Sequence, residues 1–191
     1  MRYLALLIAL PLAAVPAANL AAQEYVLSDY PAGFAQASGW VWEAFADRVM
    51  GGKSELVPPL VANTADGPAL RLAGKVITKG GGFIQIRLRH EGGLFDASGF
   101  AGVELTAEAA PGGRYFVFLR TKDNFFPWSY YAAPLDFTGG KLSFRLPWSA
   151  FEAESTGRKT VRPRYLSSIA MTAAFLDFNA DLKIYRVSLF K

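Results

Sequence analysis

The chain has 191 residues, a formal net charge of +4, one histidine and no cysteine. This length suits a single domain whose stability comes from core packing, since 52% of the residues are hydrophobic and no disulfide bond can form. The basic residues are scattered rather than clustered, which argues against a nucleic-acid partner.

The first 22 residues have the layout of a secretory signal peptide. Arg2 precedes an apolar stretch over residues 3–18, and small residues follow as far as Ala22. The apolar stretch contains two prolines and is short for a membrane-spanning helix, which needs about 20 residues. We therefore expect cleavage between Ala17 and Gln23, a periplasmic or secreted protein, and no membrane span after cleavage.

From residue 23 onward the sequence has the two-residue periodicity of β-strands. Apolar and polar residues alternate over 84–89, 142–146 and 182–185, and such alternation buries one face of a strand. The apolar residues then change parity, which predicts a β-bulge near Arg186. In the first of these strands Arg87 lies on the polar face.

Clustered glycines separate the apolar runs. Eleven of the 18 glycines fall in five clusters, at residues 51–52, 80–82, 92–93, 112–113 and 139–140. Hairpin turns need positive φ, which glycine adopts at no steric cost. The pattern predicts an all-β fold of nine to eleven short strands, an antiparallel jelly-roll β-sandwich that forms one domain over residues 23–191. We expect short helical turns near Ala46 and from Trp148 to Glu152.

Four segments carry a family resemblance. They are Asp47–Ser54 (DRVMGGKS), Gly81–Arg87 (GGFIQIR), Gly113–Phe118 (GRYFVF) and Phe144–Phe151 (FRLPWSAF). In content and order they resemble the complex I intermediate-associated protein 30 family, over roughly residues 40–190. The resemblance implies a galactose-binding-like jelly roll and a chaperone-like or assembly-assisting role toward a protein partner.

The first of these segments has two interpretations. In the structural one, Asp47 accepts backbone N–H bonds while Gly51 and Gly52 form a turn, with Arg48 paired nearby. In the functional one, Asp47 and Arg48 face a ligand across a loop whose glycines permit close approach. Aspartate and glycine are common in turns, which favours the structural interpretation.

Arg87 has a related pair of interpretations. If the polar face of its strand is open, that face is a polar binding surface. If the face is covered, the guanidinium needs a carboxylate partner, and we hypothesise that Asp47 supplies it.

The aromatic stretch from Phe125 to Tyr131 follows an Asp-Asn turn at 123–124. Aromatic faces at the end of a sandwich stack on sugar rings or anchor a protein contact, which makes Trp128 and Tyr130 candidate binding residues. Packing between the two sheets is the commoner role of aromatic residues in strands and is favoured as the alternative.

The chain offers few groups for catalysis. His90 is the one imidazole, and no Gly-x-Ser-x-Gly turn accompanies it, which argues against a hydrolase triad and against a zinc site. Five acidic residues remain as candidates for a glycosidase-type carboxylate pair, although spacing does not place any two together: Asp47, Glu55, Asp96, Asp136 and Asp177. We predict a non-enzymatic exported binding protein without catalytic residues, cofactor or metal. Its partner is a protein, as the resemblance implies, or alternatively a glycan, as the jelly roll and the Trp128 region allow.

Overall fold

The computed structural model describes residues 24–33 and 35–191. Over these residues the chain forms thirteen strands and three short 3-10 turns, which confirms the all-β prediction. The strand number exceeds the expected nine to eleven because two strands, of two and three residues, are too short to show a periodic pattern. The predicted signal peptide lies outside the described residues. None of the helical turns in the described part of the chain is long and apolar enough to cross a membrane.

The strands are short and follow one another closely. In chain order they are β1 (Tyr25–Asp29), β2 (Ala35–Gln36), β3 (Trp40–Ala46), β4 (Glu55–Thr64), β5 (Gly67–Val76), β6 (Phe83–His90), β7 (Gly102–Ala109), β8 (Tyr115–Thr121), β9 (Tyr130–Leu135), β10 (Lys141–Pro147), β11 (Glu152–Glu154), β12 (Leu166–Ala174) and β13 (Phe178–Phe190). The 3-10 turns are Asp47–Met50, Trp148–Ala150 and Pro163–Tyr165. The first two lie where the sequence predicted helical turns.

The strands form two antiparallel sheets. The seven-stranded sheet is organised around β13, which pairs with β7 along one edge. Along the other edge, the first half of β13 pairs with β5 and the second half with β1. The six-stranded sheet has the order β11-β9-β8-β12-β6-β3. Strands that are neighbours in a sheet are therefore often distant in sequence, as in a jelly roll.

The core lies between the two sheets and follows the predicted alternation. On β6, Ile84, Ile86 and Leu88 are at most 1% exposed, so this strand buries the face that the sequence indicated. The pairing of β13 with β7 shifts register between Ile184 and Arg186, which confirms the predicted bulge. The shift lets both halves of β13 bury their apolar residues against the same core.

Candidate functional site

An open groove runs along β12 on the outer face of the six-stranded sheet. Ser168 and Ala170 of β12 form its floor, and the strands on either side present larger side chains. Arg87 on β6 and Phe118 on β8 both pair with Ala170, so they stand on opposite walls above the same floor residue. The groove has a volume of about 750 Å³, and its depth comes from small residues on a central strand flanked by large ones.

Aromatic rings make up much of the groove walls. The lining rings are those of Phe45, Phe83, Phe118, Trp128, Tyr130 and Phe175. Phe118 and Tyr130 stack with centroids 4.0 Å apart and planes 9° apart. Trp128 stacks on Phe126, with centroids 5.1 Å apart, and both rings remain 54% exposed. Exposed flat rings of this kind offer surface for ligand contact.

Burial favours the protonated form of the Tyr130 hydroxyl. Burial first, and then the negative charge of Glu154, raise the pKa of Tyr130 to about 12. The phenol therefore stays protonated at neutral pH and retains a hydrogen-bond donor.

The stretch from Phe125 to Tyr131 divides into two parts. Tyr131 is fully buried, as the core-packing interpretation requires. The same interpretation is wrong for Phe125, Phe126 and Trp128, which are 85%, 54% and 54% exposed. These three residues precede β9 on a loop, where the chain leaves the sheet and its side chains are no longer forced into the core.

Arg120 of β8 holds that loop in place. Its Nη1 donates to the carbonyl oxygen of Pro127 at 2.7 Å, and its Nη2 donates to those of Asn124 and Phe126 at 2.9 and 3.0 Å. A single guanidinium thus satisfies three loop carbonyls, which fixes the backbone beside Trp128.

An ion pair anchors the base of the same loop. Arg162 donates to both carboxylate oxygens of Asp123, with Nε 2.8 Å from Oδ2. Arg158 lies 3.8 Å from the same carboxylate. The hydrogen bonds from Arg162 are the main reason that the pKa of Asp123 lies below its ordinary value. Trp128 is therefore presented on a loop that is fixed before any ligand arrives.

Arg87 pairs with Glu43, and the hypothesised Asp47–Arg87 pair is wrong. Its Nε and Nη2 lie 2.9 and 2.7 Å from Oε2 of Glu43, and Arg89 binds the other oxygen of this carboxylate. The reason is strand pairing, since β3 sets Glu43 directly opposite Arg87. Burial raises the pKa of Glu43, but the hydrogen bonds from Arg89 and Arg87 outweigh it and leave the pKa below its ordinary value.

Asp47 sits in a closed polar cluster beside the groove rather than in its lining. Its carboxylate is fully buried. Oδ1 accepts the N–H of Ser54 at 2.9 Å, and Oδ2 accepts the hydroxyl of Ser54 at 2.8 Å and the N–H of Gly82 at 2.5 Å. We call Asp47, Ser54 and Gly82 the Asp47 clamp, because they tie the first 3-10 turn to the hairpin before β6.

Two glycines make room for the clamp. A Cβ on Gly52 would lie 2.2 Å from the Asp47 carboxylate, and one on Gly81 would lie 2.5 Å from it. Gly51 ends the 3-10 turn with φ of 88°, a left-handed conformation that favours glycine. Arg48 is exposed, and its Nε donates to the carbonyl oxygen of Ser54 at 3.2 Å. The contacts of this segment are those of its structural interpretation.

Three of the residues selected from the sequence lie together in the groove: Arg87, Trp128 and Tyr130. The other four do not line it: Asp47, Arg48, Gly51 and Gly52. Sequence reasoning missed Phe118 and Arg120. The small residues Ser168 and Ala170 were the available signal, because they leave space beside whatever side chains flank them. They indicate Arg120 and Phe118 only once β12 is known to lie between β6 and β8.

The described lining of the groove contains few acidic groups. Glu154 is the one carboxylate among the described residues that line it, whereas a glycosidase needs two facing the bond it cleaves. In the part of the chain that the structure describes, no three His, Cys, Asp or Glu residues come together so as to hold a metal ion.

Solved structures with the same fold include carbohydrate-binding modules. The family 11 module of cellulosomal cellulase Lic26A-Cel5E of Clostridium thermocellum is similar with a TM-score of 0.67 and 11% identity, covering 89% of this chain and 95% of that one. The family 11 module of the same organism in complex with a β-1,3-1,4-mixed-linked tetrasaccharide gives 0.63 and 10%, covering 87% and 95%. An exo-β-agarase gives 0.51 and 11%, covering 86% of this chain but 25% of that one. These similarities confirm the jelly-roll fold.

Sequence comparison identifies the family. Among curated protein sequences, none matches this chain. The sequence model of the complex I intermediate-associated protein 30 (CIA30) family matches residues 33–177. The match contains all four segments that carried the resemblance, from Asp47–Ser54 to Phe144–Phe151. The chain therefore belongs to the complex I intermediate-associated protein 30 family.

Proposed function

We propose that this protein is a non-catalytic glycan-binding protein and that the groove along β12 is its binding site. The observation that carries the proposal is an open groove with exposed aromatic rings on its wall and small residues on its floor. Aromatic faces pack against the apolar faces of sugar rings, while polar groups beside them bond the hydroxyls.

The dimensions of the groove favour an extended ligand. The groove-lining residues on and just after β12 extend from Ser168 to Phe175, which corresponds to about 23 Å of extended chain. Along this length the groove offers the hydroxyl of Ser168 on its floor and the side-chain amide of Gln85 on its β6 wall. An oligosaccharide can follow this path, stacking on rings and bonding to polar groups at intervals.

The fixed loop supports the same proposal. Arg120 and Asp123 hold the backbone beside Trp128, so little side-chain or loop freedom remains to be lost on binding. A neighbour of the same fold is described in complex with a tetrasaccharide, which supports a glycan as the ligand of this fold here as well.

A carbohydrate microarray followed by calorimetry tests the proposal. Trp128→Ala should weaken binding about tenfold or more, because it removes an exposed ring from the groove wall. Phe125→Ala is the matched control, since Phe125 is 85% exposed on the same loop and does not line the groove. Both variants should melt at the wild-type temperature. An array without any bound glycan, or equal losses from the two variants, would contradict the proposal.

A second candidate function is binding of a protein partner, as the family membership suggests. The observation that favours it is the exposure of two apolar residues at the groove rim, Val49 at 70% and Met50 at 45%. Exposed apolar side chains together with neighbouring aromatic rings are typical of protein contacts. A partner retained from envelope extracts by the wild type and lost with Val49→Ser/Met50→Ser would support this function. Retention by both proteins would contradict it.

We also propose that the protein is exported and loses residues 1–22. The support is the charged start, apolar middle and small residues near Ala22. Mass spectrometry of the protein recovered from a periplasmic fraction should give the mass of a chain that begins near residue 23. A full-length mass in that fraction, or recovery from the cytoplasm alone, would contradict export.

A further inference from the structure

We infer that the glycan bound in the groove carries acidic groups, either carboxylates or sulfates, and that Arg87 and Arg120 bind one such group. This inference rests on the proposed function, because it names the class of glycan that the groove selects.

The two guanidinium groups flank the groove floor. Arg87 on β6 pairs with Ala170, and Arg120 on β8 pairs with Ser168, so both side chains rise beside the same two floor residues. Both line the groove. Their strands are two strand spacings apart, about 10 Å. A ligand that lies over Ser168 and Ala170 therefore has a guanidinium on each side.

Positive charge at this point exceeds negative charge, since three guanidinium groups lie near two carboxylates. One carboxylate, that of Glu43, serves both Arg87 and Arg89. Glu154 also lines the groove, but it forms no ion pair with Arg87 or Arg120 among the described residues. Arg120 forms no ion pair with the described residues, since its bonds go to the neutral carbonyls of the Trp128 loop. Burial, and then the nearby charge of Arg87, lower the pKa of Arg120, as expected where two cations share incompletely hydrated surroundings. An anionic group on the ligand would compensate both.

Hydrogen-bond donors remain available for such a group. Nε and Nη2 of Arg87 both bond to Glu43, and among the described residues no protein oxygen accepts from its Nη1. Nη1 of Arg120 bonds to Pro127 and has a second hydrogen. Planar guanidinium groups bind carboxylate and sulfate oxygens with short, charge-assisted hydrogen bonds.

Paired oligosaccharides test this inference by calorimetry. One pair is a hexamer of mannuronate and the same hexamer with its carboxyls reduced to alcohols. The other is a sulfated galactan hexamer and its desulfated counterpart. The acidic member of at least one pair should bind about tenfold or more tightly than its neutral counterpart, and this advantage should shrink as salt concentration rises. The pair that shows the advantage identifies carboxylate or sulfate as the source.

Arg87→Gln should remove most of this preference, because affinity for the acidic hexamer should fall much further than affinity for its neutral counterpart. Arg145→Gln, a variant of an exposed arginine on β10 in the other sheet, is the matched control and should keep the preference. Equal affinity of the wild type for acidic and neutral members overturns the inference and leaves the proposed function intact. Failure to bind any of the four oligosaccharides, while the array shows other neutral glycans bound, overturns the inference alone. An empty array contradicts the proposed function as well.

Discussion

The Asp47 clamp and the groove along β12 lie side by side, but they use their polar groups in opposite ways. In the clamp, both carboxylate oxygens accept hydrogen bonds from Ser54 and Gly82, and no part of Asp47 is exposed. In the groove, Trp128 is half exposed and Nη1 of Arg87 has no acceptor among the described residues. The clamp is complete without a ligand, whereas the groove is not.

The difference explains why the carboxylate of the more distinctive sequence segment lies outside the groove lining. A fully buried carboxylate is tolerated only when donors surround it closely, which fixes the residues at 52, 54 and 81. A binding surface asks only for ring faces and donors of suitable kind, so its residues form no rigid motif. A strict motif can therefore mark a structural cluster.

The largest effect is expected from Asp47→Ala, which tests whether the clamp stabilises the fold or binds the ligand. The substitution leaves the N–H groups of Ser54 and Gly82 buried without an acceptor. Each unsatisfied group costs about 1–3 kcal/mol, so the free energy of unfolding should fall by roughly 2–6 kcal/mol, as measured by urea titration. Asp136→Ala, at an exposed position, should change it little. Loss of glycan binding by Asp47→Ala at wild-type stability would contradict our assignment.

A smaller loss is expected from Gly81→Ala, which tests whether glycine serves the clamp. Its Cβ would lie 2.5 Å from an Asp47 oxygen, and overpacking of this kind costs about 1–3 kcal/mol. Gly157→Ala is the control, because nothing lies within 4 Å of its Cβ. In the Asp47→Ala background the Gly81→Ala cost should shrink, because the contact with the Asp47 carboxylate is gone and only the Cβ of residue 47, 2.8 Å away, remains. A cost that is the same in both backgrounds would rule out this contact as its cause.

Beside the groove, Phe126→Ala should weaken binding through Trp128 without affecting folding, the reverse of what is expected for the clamp variants. The ring of Phe126 stacks on Trp128 at 5.1 Å, and such pairs contribute about 0.5–1.5 kcal/mol. Glycan affinity should therefore fall by roughly twofold to tenfold, as measured by calorimetry, at an unchanged melting temperature. A large drop in melting temperature would show that the loop is part of the core.

The smallest effect is expected on acidification of the loop anchor. Because Arg162 lowers the folded-state pKa of Asp123, this carboxylate stabilises the loop above its ordinary pKa of about 3.9 and loses that contribution as pH falls through the folded value. Trp128 fluorescence, isolated by subtracting a Trp128→Phe variant, should stay constant from about pH 7 to 5 and change below about pH 4. Asp123→Asn should remove this step. A step that persists in that variant would point to another acid.

The sequence predicted local features well because they depend on neighbouring residues. Alternation over 84–89 and the parity change at Arg186 follow from which faces the chain must bury, and both were confirmed. The partner of Arg87 was missed because it depends on β3 lying beside β6. Exposure of the rings before β9 was one of two interpretations, and the sequence favoured the other because a loop and a strand of similar composition differ only in where the sheet ends.

The position of the groove could not be predicted for the same reason. Its walls come from β6 and β8, which precede its floor strand β12 by about 80 and 50 residues. Ser168 and Ala170 indicate a depression only after this order is known. Chemistry at single positions was readable from the sequence, whereas the assembly of three distant strands into one surface was not.

The central place of β13 has a practical consequence for anyone expressing this protein. β13 (Phe178–Phe190) joins β7 to both β5 and β1, so the seven-stranded sheet cannot close until residue 190 has been synthesised. A gene fragment trimmed to the family match at 33–177 would omit both β13 and β1 and would leave β5 and β7 without β13 as their neighbour. Such a fragment should be recovered as insoluble aggregate, so cloning boundaries belong beyond Phe190.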